Sequence, residues 1–421
     1  DLLGEAARAE GRVVVFLIDE IQHLDSNELS ALVIAKHRVN QRVLPVVFAG
    51  AGLPQILAEL AASCDYEARK AQIDTFNAAS PVLKKGIALT PVKFGISFTT
   101  KHLNQAGALI HVYADGSILL NHGGTEMGQG LYLKVAQVVA QAFQVDLSRV
   151  RITSTVTDKV PNTSATAASS GADLNGMAAL DAAERIKARL VSFAAEKWAC
   201  QPDEVVFTPQ GVRAGEVLIP FNDLCRQAYL ARISLSSTGF YATPKIHYDR
   251  ASHTGRPFYY FAYGAACSEV LIDTLTGEMK VLRADILHDV GKSLNPAIDR
   301  GQIEGGYIQG LGWLTTEELV FSSDGRLLTH APSTYKIPTC GDRPAVFNLE
   351  LWKGGRNAEE TVHRSKAVGE PPLMLAISAF CAITQAVASV AGGKLAPKLD
   401  APATPEAILM AVEDLKARAR G

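Results

Sequence analysis

Paired cysteines are missing from this chain: it has six, at Cys64, Cys200, Cys225, Cys267, Cys340 and Cys381, and no two are spaced C-x-x-C. That spacing opens most iron–sulfur and zinc sites, so neither is expected here. Scattered thiols read instead as reduced and mostly buried, as in a cytoplasmic protein. No run reaches the roughly 18 uninterrupted apolar residues of a membrane span, and no signal-peptide pattern is visible. Charge of one sign is also lacking: 41 Lys and Arg face 43 Asp and Glu, a net of −2. Such a balance gives no reason to expect nucleic acid or an anionic membrane as partner. The phosphate loop Gly-x-x-x-x-Gly-Lys-Ser/Thr appears nowhere. The first residue is Asp1, not Met, which fits a piece of a longer protein. A length of 421 residues allows two to three domains with ample core.

The most informative segment present is KAVGEPP, residues 366–372. Prolines suit the first turn of a helix, where the N–H they lack has no partner. Glu370 is thereby set at or just before a helix N-terminus, on a loop that Gly369 lets bend. The helix dipole favours an ionised carboxylate there, and a general base must be ionised before it accepts a proton. A helix-capping acid is the competing and commoner reading of the same pattern.

Two further segments invite a ligand. NHGGTEMGQG, residues 121–130, is a glycine-rich loop running into an amphipathic stretch, 131–143. Backbone N–H groups at such a junction can bind phosphate. The loop is not a P-loop, because Gln129 stands where Lys is needed. Nor is it a dinucleotide fingerprint, because Leu133 stands where a third glycine is needed. A plain turn before a helix remains the simpler account. Residues 160–171 are almost all small. They read either as a linker or, between a strand-like run (150–156) and a helix (172–198), as backbone that lets a bulky ligand approach.

Taken together the chain resembles the molybdenum-cofactor-binding region of the xanthine dehydrogenase and aldehyde oxidase family. The pieces that carry the likeness, in order, are PVKFGISFT (91–99), LNQAG (103–107), GGTEMGQG (123–130), VPNTS (160–164), DVGKSLNPAID (289–299), PSTYKIP (332–338) and KAVGEPP (366–372). The resemblance implies an α+β fold, a molybdenum–pterin (molybdopterin) cofactor and hydroxylation of purines such as xanthine or hypoxanthine, with oxygen taken from water. It makes Glu370 the catalytic base. It places Gly128, Gln129, Ala168, Ser169 and Gln309 on the cofactor, the Ala168 backbone beside the metal, and Phe98 and Thr99 against the substrate. The metal is held by the cofactor's own sulfurs, so no protein ligand is implied. Fe–S clusters and FAD are implied on a partner subunit, in a heterotetramer. The family's earlier half has no counterpart before Phe94, so this chain holds one wall of the site. An aldehyde or N-heterocycle hydroxylase, and a remnant that only folds or binds a partner, are the alternatives.

The leading residues are foreign to that pattern. Residues 13–18 read as a buried strand ending in Asp19 and Glu20, 27–39 as a helix and 43–48 as a second strand. A strand that delivers Asp-Glu at its end resembles the Walker B segment of AAA-type ATPases. Without a phosphate loop, ATP hydrolysis is not expected from it. The expected organisation is 1–62, a short P-loop-NTPase-like α/β fragment; 66–395, the late half of the two-domain molybdenum-cofactor-binding region; and 396–421, a spacer and helix capped by Thr404.

Apolar periodicity predicts helices over 131–143, 174–197, 221–232, 298–314 and 373–390. Strand pairs are predicted over 108–120, over 259–273 with 278–288, and around 317–329. His102, His111, His122 and His288 lack metal-like spacing and read as structural, and the three tryptophans as packing.

Overall fold

The computed structural model describes residues 14–19, 46–51 and 54–420. From the N-terminus, β1 (Val14–Asp19) and β2 (Val46–Ala51) pair in parallel, with Asp19 opposite Ala51. Glu20 and the helix expected over 27–39 lie outside the described residues. Next come α1 (Pro54–Ser63), α2 (Tyr66–Ala79), β3 (Leu83–Ile96), β4 (Gln105–Val112), β5 (Ile118–His122), α3 (Leu131–Phe143), β6 (Val150–Ile152) and α4 (Gly171–Lys197). Beyond these lie β7 (Val205–Thr208), β8 (Gly211–Ala214), β9 (Val217–Ile219), α5 (Phe221–Leu230), β10 (Ser236–Ala242), β11 (His247–Asp249) and β12 (Thr254–Arg256). The last elements are β13 (Tyr260–Asp273), β14 (Met279–Asp289), α6 (Pro296–Thr315), β15 (Val346–Leu351), α7 (Ile377–Ala388) and α8 (Pro405–Arg420).

Two lobes form around two four-stranded sheets. In the first, ordered β10-β4-β5-β6, the buried alternation of β4 meets α3 and α4 in one core. In the second, ordered β15-β14-β13-β3, the inner face meets α6, α7 and α8 in another. Both lobes use the same device to bring a helix close. α4 offers the stripe Ala178, Ala179, Ala182 and Ala183, all fully buried, to β10. A Cβ on Gly239 of β10 would lie 2.1 Å from the Ala178 carbonyl oxygen. In the second lobe α7 presents Ala379, Ala382 and Ala386 to β3, and a Cβ on Gly86 would lie 1.9 Å from the Ala382 oxygen. Small residues on both partners allow this contact; any side chain on either glycine would push the layers apart.

α1 packs on the outer face of the second sheet. Ile56, Leu60 and Cys64 share a core with Ile73, Ile87, Ala265 and Cys267. Arg69 of α2 is buried there between Glu269 and Asp285, at 2.9 Å from each. The Trp352 indole N–H donates to Glu59 at 2.9 Å. α1 is therefore continuous in packing with the second lobe, although most of its sequence falls within the leading fragment.

Several expected elements differ at their ends. The strand expected over 150–156 stops at Ile152, because Thr153 and Thr155 turn their hydroxyls to Asn121 and to the carbonyls of His122 and Gly124. The helix expected over 373–390 begins as a 3-10 turn, Pro371–Ala376, before α7. Around 317–329 only the single bridge between Phe321 and Leu327 forms. Thr404 does cap α8, its hydroxyl accepting from the Ala407 N–H at 3.2 Å. Among the described residues one helical stretch, Pro371–Ala391, is long and apolar enough to cross a membrane. Its inner face is wholly buried against β3 and β13, as a core helix requires.

Candidate active site

The three segments singled out in the sequence meet. Thr125 of the glycine-rich loop donates its N–H to Thr166 of the small-residue stretch at 2.9 Å. A Cβ on Gly123 would lie 2.5 Å from the Thr163 side chain, so the loop backbone packs directly against that side chain. Residues 160–171 thus lie along the glycine-rich loop, largely exposed or half-buried, with Thr166, Ala167, Ser169 and Gly171 facing one cavity. The third segment reaches the same stretch. Ser169 Oγ donates to Glu370 Oε2 at 2.8 Å, and the Glu370 N–H donates back to Ser169 Oγ at 2.8 Å.

This reciprocal clasp ties the Glu370 side chain to Ser169 and not to its own helix. The residue does sit at the cap position of the 3-10 turn, but its side chain makes no capping hydrogen bond. Its carboxylate points instead across the site, with Oε1 free of partners among the described residues. Gly369 is needed for closeness, not for a bend: its φ is unexceptional, while a Cβ there would meet Ser169 Oγ at 3.1 Å. Ala168 and Ser169 take left-handed backbone, φ 53° and 55°, conformations that L residues hold only when the surroundings enforce them.

Between the lobes lies a cavity of about 380 Å³, within the range of small-molecule sites. Its walls include Gln129, Ala167, Ser169, Asp173, Glu370 and the start of α6 at Asp299. Two buried pairs stiffen the surroundings. Lys134 of α3 bonds Asp299 of α6, which also accepts from Ser293. Lys366 bonds Asp289, which also accepts the Gly291 N–H at 2.8 Å. Buried pairs of this kind do little for net stability, but they fix where neighbouring elements sit.

The N-terminus of α3 is already occupied. Glu126 Oε1 accepts the N–H groups of Gly128 and Gly130, and Oε2 that of Tyr132, all at 2.9 Å. Burial opposes its charge, yet these donors hold the carboxyl below its usual range. An internal carboxylate therefore fills the position where the loop alone suggested a phosphate. Gln129 folds its amide back, donating to the Thr125 carbonyl at 2.8 Å, while still lining the cavity.

Not every expected residue reaches the cavity. Phe98 and Thr99 lie just past the end of β3, with the Phe98 N–H and carbonyl both bonded to the Asn104 side chain at 2.8 and 2.9 Å. Gln309 is exposed on α6, and Gly128 is exposed on its loop. None of these four lines the cavity, and Ala168 itself lies between two lining residues. Sequence reasoning misses Asp173, Tyr260, Lys134 and Asp299. Asp299 closes the DVGKSLNPAID run, but nothing in that run says it faces Lys134.

The donor set suits an organic group. Met127, Leu131, Leu294 and Val368 give apolar walls, and Gln129, Asp173, Lys134 and Gln302 give polar contacts. Among the described residues no three His, Cys, Asp or Glu side chains cluster as metal ligands. The mixed apolar and polar lining fits an organic group.

A family model described as molybdopterin cofactor-binding domain matches residues 59–344. Xanthine dehydrogenase/oxidase of Felis catus is 48% identical over 371 residues, 87% of this chain and 26% of that protein. Xanthine dehydrogenase of Dictyostelium discoideum is 48% identical over 338 residues, 80% of this chain and 23% of that protein. The chain belongs to the molybdopterin cofactor-binding domain family. It spans about a quarter of the length of these relatives. Solved structures share the fold. The Cu,Mo-CO dehydrogenase structure matches with a TM-score of 0.75 at 20% identity, over 87% of this chain and 46% of that one. Quinoline 2-oxidoreductase from Pseudomonas putida 86 matches at 0.74 and 21% identity, over 86% and 46%.

Proposed function

We propose that this chain is one wall of a molybdenum-dependent purine hydroxylase, with Glu370 as its base and xanthine or hypoxanthine as its substrate. The observation that carries the reading is the Glu370 carboxylate, held on the cavity wall by Ser169 and not spent on its own helix. Ser169 occupies Oε2 and leaves Oε1 to take a proton. When bound, the molybdenum–pterin group supplies two-electron oxidation of the substrate carbon, with oxygen drawn from water. Gln129 and the Ala168–Ser169 backbone would hold that group, with Gly128 and Gln309 as outer contacts. Phe98 and Thr99 orient the purine once the rest of the site is assembled around them. Fe–S clusters and FAD on a partner subunit or domain would supply the route out for the electrons, in a cytoplasmic heterotetramer. The test is Glu370→Gln in the cofactor-loaded enzyme. Loss of a general base lowers kcat/KM by roughly 10²–10⁴-fold at unchanged molybdenum content. An unchanged kcat/KM would remove Glu370 from this role.

A further inference from the structure

The clasp between Ser169 and Glu370 is not the only tie between their two segments. Two residues before Gly369, the Ala367 N–H donates to the Tyr260 hydroxyl at 2.9 Å. That hydroxyl donates in turn to Asp173 Oδ2 at 2.7 Å. Asp173 stands in the first turn of α4, four residues beyond Ser169. The segments 169–173 and 367–370 are therefore fastened twice, directly at one end and through the Tyr260 side chain at the other. A segment fixed at one point can still swing; fixed at two, it presents its carboxylate in one orientation.

We propose that Tyr260 is a positioning residue for Glu370, anchored by Asp173 and acting through the Ala367 backbone. The proposal rests on the reading of Glu370 as the base. Both side chains are nearly buried, Tyr260 at 6% and Asp173 at 7% exposure, so water does not compete for these bonds. Burial, with the Asp173 charge beside it, keeps the Tyr260 hydroxyl protonated far above its ordinary range. Burial also raises the Asp173 carboxyl to about 7, against the pull of the Tyr260 bond and the Lys134 charge. The phenol thus always has its proton to give, and the chain of bonds runs in one direction. A tyrosine kept only to fill space would need neither bond.

The test uses the cofactor-loaded enzyme and reads amide hydrogen exchange by mass spectrometry beside turnover. In Tyr260→Phe, one lost hydrogen bond raises exchange across residues 365–371 by roughly two- to tenfold, and exchange elsewhere stays as it was. In the same variant kcat falls while KM and molybdenum content hold. Asp173→Ala reproduces the faster exchange. Asp173→Asn, which keeps an acceptor for the phenol, restores most of the protection. Unchanged exchange at 365–371 in Tyr260→Phe overturns the proposal. So does a uniform rise over the whole chain, which marks Tyr260 as general packing. Glu370→Gln separates the two readings: it removes turnover without altering this exchange. If Glu370→Gln keeps its turnover, the base assignment fails, whatever the Tyr260 variant shows.

Discussion

Lowering the pH from 7.5 to 4.5 should weaken the fold through His288. Its ring is fully buried on β14, where a Cβ on Gly264 would lie 2.3 Å from Nδ1. Neither ring nitrogen has a hydrogen-bond partner among the described residues. Burial first, and the Lys366 charge second, push its pKa from 6.5 down to about 3. The unfolded chain takes up a proton below pH 6.5 and the folded one does not, so stability is complete above 6.5 and falls with pH. Each unit of pH below that point removes about 1.4 kcal/mol, which makes roughly 3 kcal/mol by pH 4.5. His122, pushed by burial to about 4, acts in the same direction. Asp173, raised to about 7, acts oppositely: its contribution is complete below the ordinary carboxylate range and is lost as pH rises to about 7. The comparison must therefore be a difference. Urea unfolding of the wild type and of His288→Leu at pH 7.5 and 4.5 isolates the one ring. The variant should gain roughly 3 kcal/mol on the wild type between these two values. A gap that does not change with pH would mean that the buried ring finds a proton partner, and the reasoning would fail.

Other consequences are as direct. Ser169→Ala removes both bonds of the clasp and should lower kcat/KM roughly tenfold, with the molybdenum content kept, as steady-state kinetics would show. Gly86→Ala forces α7 away from β3 and should cost about 1–3 kcal/mol in thermal unfolding. Gly301→Ala in α6, with nothing within 4 Å of the new methyl, should instead gain roughly 0.5–1 kcal/mol. Equal effects at the two glycines would contradict the close packing assigned to Gly86.

Much of the fold is legible where local chemistry and packing agree. The helix over 131–143 can be read to the residue, since its apolar face is the buried face. The β13–β14 hairpin is visible in its Thr-Gly turn and alternating sides. Strand 150–156 is overread because Thr153 and Thr155 favour strand by propensity, yet here spend their hydroxyls on the glycine-rich loop and the strand before it. At the site, Glu370 and Ser169 can be named from their motifs, but not their bond, which joins residues 201 positions apart. Tyr260 and Asp173 carry no local signal at all. Each looks like an ordinary strand or helix residue until β13 brings the phenol under α4. Glu126 is visible inside GGTEMGQG, but only the folded loop shows it turning back on three N–H groups.

The most direct measurement is molybdenum per chain, by elemental mass spectrometry, after co-expression with cofactor-inserting machinery. It should be made on the wild type and on Ala172→Trp, which places an indole in the cavity. A cavity that holds the cofactor gives about one molybdenum per wild-type chain and close to none in the variant, at similar thermal stability. Equal metal in both proteins, or none in the wild type, would contradict the placement of the cofactor between the two lobes.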